Sequence, residues 1–237
     1  MKNQEIPCVF KDCLKRVLDT LKPDEIKEAI IIFTRFPLPG QAKTRLVPYL
    51  GAKKAAELQR SMTEHTLAQA RDMQQMRDVC IEVHYDGGTR ELIQKWLGKV
   101  SLHKQQNGDL GTRLAAALST GFQSGYTKIL ITGTDCPSLT SSLMIQSLDD
   151  LNQRDLIIGP ATDGGFYLLG LKKSAPQLFV DVPWGTSKVY EKTVSNAQKL
   201  NLSLYNLPTL SDIDRPEDLI HLHPAGRDLI TLNKQER

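Results

Sequence analysis

The sequence predicts an α/β fold, a mostly parallel central sheet with helices on both faces. Two observations predict it. Residues 29–34, 128–132 and 156–158 are short, nearly continuous apolar runs, as strands buried on both faces should be. Between them lie stretches with apolar residues at helical spacing, and strands alternating with helices imply βαβ units.

The elements follow in order. Phe10, Leu14, Val17, Leu18 and Leu21 form one stripe of an amphipathic helix that ends before Pro23. This predicts a helical extension over 1–27, packed on the main body or on a second subunit of a homodimer, with the main domain over 28–237. After the first strand comes a loop with Pro37, Pro39 and Gly40, then a helix over about 51–72. Residues 79–85 alternate as a strand, and Asp86-Gly87-Gly88 ends it as a turn. Leu110, Leu114, Ala117, Leu118, Gly121 and Phe122 mark a second helix, and Leu143, Met144, Ser147, Leu148 and Leu151 a third. Residues 166–169 read as a strand joined to 156–158 through Asp163-Gly164-Gly165. A helix near 187–200, a strand near 202–206 and a helix opened by Pro216 complete the pattern.

Composition narrows the function classes. The 237 residues hold 30 Lys and Arg against 27 Asp and Glu, a formal charge of +3, which argues against a dedicated nucleic-acid binder. No window approaches 18 uninterrupted apolar residues, so no membrane span is expected. Cys8, Cys13, Cys80 and Cys136 are irregularly spaced and read as reduced thiols. The amino-terminal residues lack an apolar signal segment. The expectation is a cytoplasmic protein.

In such sheets ligands bind at the carboxyl ends of the strands, so the residues after each apolar run carry the chemistry. After the first run, residues 35–60 hold six Lys and Arg against Glu57 alone. The loop is not a P-loop, because Pro37 and Ala42 stand where that motif needs glycines. Lys43 and Arg45, on the loop, suit a diphosphate; Lys53, Lys54 and Arg60 read as a solvated helix face. After the central strand, Asp135 stands at the ligand edge and suits a hard divalent cation, with Thr140 or Ser141 left to cap the next helix. Asp212 and Asp214 precede Pro216, and Asp214 reads either as a helix cap or as a second metal ligand. Asp163 is either a turn residue or a general base. Trp184 is either a sugar platform or core. His221 and His223 lack a third ligand at zinc-site spacing, and His65 reads as a packed or surface histidine.

Five segments, taken together, resemble a known family. They are 32–46 (with Arg35, Pro39-Gly40 and Lys43-Thr44-Arg45), Gly108-Asp109-Leu110-Gly111-Thr112-Arg113, Gly133-Thr134-Asp135-Cys136-Pro137, 159–167, and Asp212-Ile213-Asp214 with Pro216-Glu217-Asp218. In this order they are similar to the bacterial arsenosugar-biosynthesis-type glycosyltransferases, a branch of the nucleotide-diphospho-sugar transferase (glycosyltransferase A) superfamily. The resemblance implies a Rossmann-like sheet on which Arg35, Lys43 and Arg45 line the nucleotide and its phosphates. It implies that Gly108, Asp109 and Arg113 shape the base and ribose side. Asp135 would take the metal-binding position, with Mg²⁺ or Mn²⁺ shared with Asp214, and Asp163 would be the base for an acceptor hydroxyl. The first expectation is therefore sugar transfer from a nucleotide sugar to an acceptor. Pro137 replaces the second acid of the usual Asp-x-Asp, and the Asp-Ile-Asp ending also recurs in related nucleotidyltransferases. The alternative is thus a nucleotidyltransferase that joins a nucleoside triphosphate to a phosphorylated small molecule. A third reading is a nucleotide-binding module without catalysis.

Overall fold

A computed structural model describes residues 27–222. The expected helix over 1–27 lies outside the described residues apart from Lys27, as do Cys8, Cys13 and His223. Seven strands form one sheet: β1 (Glu28–Arg35), β2 (Val79–Asp86), β3 (Ser101–Lys104), β4 (Lys128–Thr132), β5 (Leu156–Pro160), β6 (Phe166–Leu171) and β7 (Leu204–Asn206). Their spatial order is β3-β2-β1-β4-β6-β5-β7. All run parallel except β6, which is antiparallel to both β4 and β5. The helices are α1 (Val47–Leu50), α2 (Ala52–Met76), α3 (Arg90–Leu97), α4 (Leu110–Gln123), α5 (Ser141–Asp150) and α6 (Val189–Lys199).

The alternation of side chains along β1 explains why this strand is central. Ile30 and Ile32 point into one apolar layer with Leu67, Met73 and Val83, while Ile31 and Phe33 point into the other with Leu114, Ile129 and Ile131. A strand buried on both faces has no place for alternating polar residues, and the run at 29–33 has none. Each fully buried isoleucine contributes roughly 1.5–3 kcal/mol. Thr140 caps α5 by accepting a bond from the Leu143 amide, as its position before the helix predicted.

Two elements escape the sequence pattern. α3 is short and carries only two buried residues, Ile93 and Leu97, and β3 is a four-residue edge strand with one buried side chain. Neither is long enough to show a period. The segment Pro216–His221 forms a 3-10 helix, with Pro216 in its first turn as expected.

The winding positions the site. From β1 the chain moves outward through β2 to β3, then returns to the other side of β1 with β4. Loops on either side of that reversal part above the sheet and leave a crevice at the carboxyl ends of β1 and β4.

A candidate two-substrate cleft

Two adjoining cavities, of about 400 and 460 Å³, occupy that crevice. They share Phe33, Arg45, Leu110, Gly133 and Asp135. The larger is lined by Arg35, Lys43, Gln59, Asp86, Gln105 and Arg113, all polar. Beyond the shared residues the smaller has an aromatic wall, Phe166, Tyr167 and Trp184, facing Asp163 and Asp212. One half of the cleft therefore suits a polyanion and the other a compact organic group.

On the polar side each cation already has a carboxylate partner. Arg35 bonds Asp86 at 3.0 Å, and Arg113 reaches the same oxygen at 3.5 Å. Arg45 pairs with Asp214. Lys43 pairs with Asp135 at 2.7 Å and also donates to the Ile213 carbonyl. Its side chain is only 3% exposed, against 47% for Asp135, so Lys43 is a buried anchor beneath a reachable carboxylate. Its backbone lies in the left-handed region at φ 47, an uncommon conformation for a residue with a long side chain. Gln59 on α2 donates to Thr134 at 3.2 Å and so ties the loop after β4 to the helix.

The expected base and ribose residues divide. Arg113 lines the polar cavity and donates to the Gly108 carbonyl at 2.9 Å and to Gln105 at 3.2 Å. Asp109 caps α4 by accepting from the Thr112 amide at 2.8 Å, and the Thr112 hydroxyl, with that amide, draws its carboxyl below the usual range. Gly108 supplies a carbonyl rather than a cavity wall. Arg60 lies on the solvated face, 5.1 Å from the Trp96 ring, as the sequence indicated.

On the other side, the Asp163 carboxylate accepts the Gly165 amide at 2.7 Å. Gly164 has φ +88, and a Cβ there would lie 2.2 Å from the Ser187 carbonyl oxygen. Its smallness thus serves the contact of that turn with the segment before α6. Trp184 meets the Phe166 ring edge-on at 6.3 Å and lines the cavity, so it is both packed and part of the wall. Burial pushes the Cys136 thiol up, with Asp212 and Asp135 adding to it, so this cavity thiol stays protonated and is no nucleophile.

The second acid of the aromatic cavity is Asp212, to which the sequence pattern assigns no role. Burial, with Asp163, Asp218 and Asp135 nearby, pushes its carboxyl up to about 6. Asp212 thus stands among acids of which Asp135 is already paired with Lys43, and its neighbour Asp214 with Arg45. The ligand oxygens of these acids do not form a compact three-ligand cage among the described residues. Mg²⁺ needs only one or two carboxylates and completes its shell with water and phosphate oxygens, so exposed Asp135 has the right donor chemistry for it. Asp86 and Gln59 were missed. Asp86 stands at the end of β2 just as Asp135 follows β4, so the same positional rule would have found it. Gln59 carries no such signal. His65 bonds the Pro137 carbonyl at 2.9 Å and is structural.

The chain is similar to several known proteins. A 2-phospho-L-lactate guanylyltransferase from Methanothermobacter thermautotrophicus is 29% identical over 203 residues, covering 84% of this chain and 85% of that protein. A structure from Desulfovibrio desulfuricans G20, provisionally named a nucleotide-diphospho-sugar transferase, matches with a TM-score of 0.80 at 32% identity, covering 88% of this chain and 95% of the other. The fold also matches 4-diphosphocytidyl-2C-methyl-D-erythritol synthase from Anaerococcus prevotii, with a TM-score of 0.55 at 10% identity and coverage of 83% and 96%. The Rossmann-like α/β expectation holds, as does the expectation of a transferase. No described helix is long and apolar enough to cross a membrane. A family model described as "Uncharacterized protein conserved in bacteria" matches residues 63–186, more than half of the sequence, and the chain thus belongs to that bacterial family, DUF2064.

Proposed function

We propose that this chain is a nucleotidyltransferase that joins a nucleoside triphosphate to a phosphorylated small molecule and releases pyrophosphate. The observation that carries the reading is Asp135 at the seam between a cation-rich cavity and an aromatic one. The choice of nucleotidyl over glycosyl transfer is supported by the guanylyltransferase relative and by the single Asp135 followed two residues later by Pro137.

The triphosphate lies in the polar half, where Arg35, Arg45 and Arg113 exchange their carboxylate partners for phosphate oxygens. Arg113 and Gln105 border the nucleoside. Asp135, with Asp212 or Asp214, would hold a divalent cation, Mg²⁺ or Mn²⁺, which would neutralise the charge that develops on the leaving pyrophosphate. Lys43 holds Asp135 in place from below and adds a fixed positive charge to the same region. An acceptor phosphate oxygen attacks the α-phosphorus, and the bond from that phosphorus to the bridging oxygen of the β-phosphate breaks. A phosphate oxyanion needs no general base, so this reading leaves Asp163 to orient the acceptor.

The second reading is the sugar transfer first expected from the arsenosugar-type resemblance. It is favoured by Asp163, Asp212 and the Trp184 wall, since a sugar hydroxyl needs a base and a ring needs an apolar face. The two readings part at Asp163. Under nucleotidyl transfer, Asp163→Asn lowers kcat/KM by less than about tenfold; under glycosyl transfer it loses about 100-fold or more. Nucleotide binding itself is tested by thermal shift of the full chain with each nucleoside triphosphate and Mg²⁺. Stabilisation of the wild type that weakens in Arg113→Ala supports the polar cavity as the nucleotide site, and no stabilisation by any nucleotide overturns it.

A further inference from the structure

A separate cluster lies on the outer strands β2 and β3, distinct from Asp135, Asp163, Asp212 and Asp214. Glu82 and His84 project from the same face of β2, two residues apart, and His103 stands opposite His84 in the register of β3. One ligand atom from each of the three lies within 4.8 Å of the others. His84 Nε2 is 3.0 Å from Glu82 Oε2, and His103 Nε2 is 3.7 Å from the same oxygen. The two imidazoles stack with centroids 4.9 Å apart.

We propose that Glu82, His84 and His103 form a binding site for a divalent transition metal of the Zn²⁺ class. The donor set selects the ion: two imidazoles and one carboxylate suit zinc and its neighbours, whereas Mg²⁺ prefers oxygen alone. In a tetrahedral zinc site with bonds near 2.0–2.1 Å, ligand atoms lie about 3.3 Å apart. The distances to Glu82 Oε2 bracket that value. Ligation through Nε2 places the remaining ring proton of each histidine on Nδ1, and the Ser101 hydroxyl, 3.0 Å from His103 Nε2, gives up that contact to the metal.

The surroundings resemble a supported metal site. Tyr126 donates its hydroxyl to Glu82 Oε1 at 2.9 Å, which leaves Oε2 turned toward the histidines. His84 is held from behind by stacking on Phe33, with centroids 5.6 Å apart. The placement also gives the ion a task. β3 is a short edge strand whose sheet hydrogen bonds are all to β2. Gln105, directly after it, donates to the Thr34 and His84 carbonyls and accepts from Arg113 in the polar cavity. A metal between His84 and His103 staples this edge and fixes the floor of the cleft.

The test uses the full chain after dialysis against a chelator, with Zn²⁺ or Co²⁺ as the only addition. The wild type is expected to bind one equivalent at this site, to gain about 5–10 °C in Tm at zinc 100-fold above Kd, and to give visible Co²⁺ absorption. His103→Ala, at an exposed position that leaves the core intact, is expected to lose about 100-fold or more in affinity together with the Co²⁺ band. Asp135→Asn and a variant with all four cysteines changed to serine are expected to keep both. Absence of stoichiometric binding by the wild type overturns the proposal. So does binding that survives His103→Ala unchanged, or that disappears with the cysteines.

Discussion

β1 and β4 carry a charge cluster at each end, and the two clusters are built differently. At the amino end Glu28, 5% exposed, accepts from Lys128 at 3.0 Å and from both sides of the Arg77 fork, and Arg77 also meets Asp149 at 2.6 Å. Burial alone would raise the Glu28 carboxyl, but the Arg77 and Lys128 bonds overcome it and hold it low. At the carboxyl end Arg35, Lys43, Arg45 and Arg113 are paired, yet Asp212 is left with its carboxyl up at about 6 among other acids. Under the proposed function the difference separates a structural cluster from a ligand-binding one. A network that only holds strands together balances its charges internally, while one that must receive a polyanion and a cation keeps charges that only the ligands complete.

The largest effect is expected where the balance is internal. Glu28→Leu leaves the buried Lys128 ammonium without its carboxylate and is expected to cost about 3–5 kcal/mol. In thermal unfolding this is a drop of about 10 °C or more, with turnover of the folded fraction unchanged at low temperature. At the other end, Asp135→Asn keeps an oxygen for Lys43 and is expected to remove at least about 100-fold in kcat/KM, about 2.7 kcal/mol of barrier, with a much smaller loss of Tm. A large Tm loss with intact turnover would erase the distinction between the two ends.

Asp212 sharpens the contrast through its sign. Its folded pKa of about 6 lies above the ordinary value of 3.8, so the native state holds the proton more tightly. The stabilisation this gives is complete below about pH 4 and is lost as pH rises through 6. Asp212→Asn is therefore expected to melt a few degrees above the wild type at pH 8, with the advantage fading toward pH 4, while activity falls. Glu28 behaves oppositely: its lowered carboxyl stabilises at neutral pH, and that contribution is lost on acidification. The smallest effect is expected outside both clusters. Arg60→Ala removes an exposed cation above Trp96 and is expected to cost about 0.5 kcal/mol, with KM unchanged.

The parts visible in the sequence were those with a local cause. Buried strands announce themselves as unbroken apolar runs, and Asp135, Asp163 and Arg45 follow from the rule that ligands bind beyond strand ends. α3 and β3 left no trace because two buried residues in the one and a single one in the other make no period. The burial of Lys43 and its pairing depend on Ile213 and Asp135, each far away in sequence, so spacing alone does not show them. The cluster of Glu82, His84 and His103 was equally hidden, since it exists only through the register of β2 with β3. The charge imbalance at Asp212 arises from four acids brought together by folding, which spacing alone does not show.

The decisive measurement follows the phosphorus products when the full chain meets each nucleoside triphosphate, Mg²⁺ and a panel of small phosphorylated acceptors, read by ³¹P NMR. Nucleotidyl transfer predicts one equivalent of pyrophosphate for each new diphosphate linkage, and no turnover with Asp135→Asn. Release of a nucleoside diphosphate from a nucleotide sugar, with no pyrophosphate from any triphosphate, would contradict it.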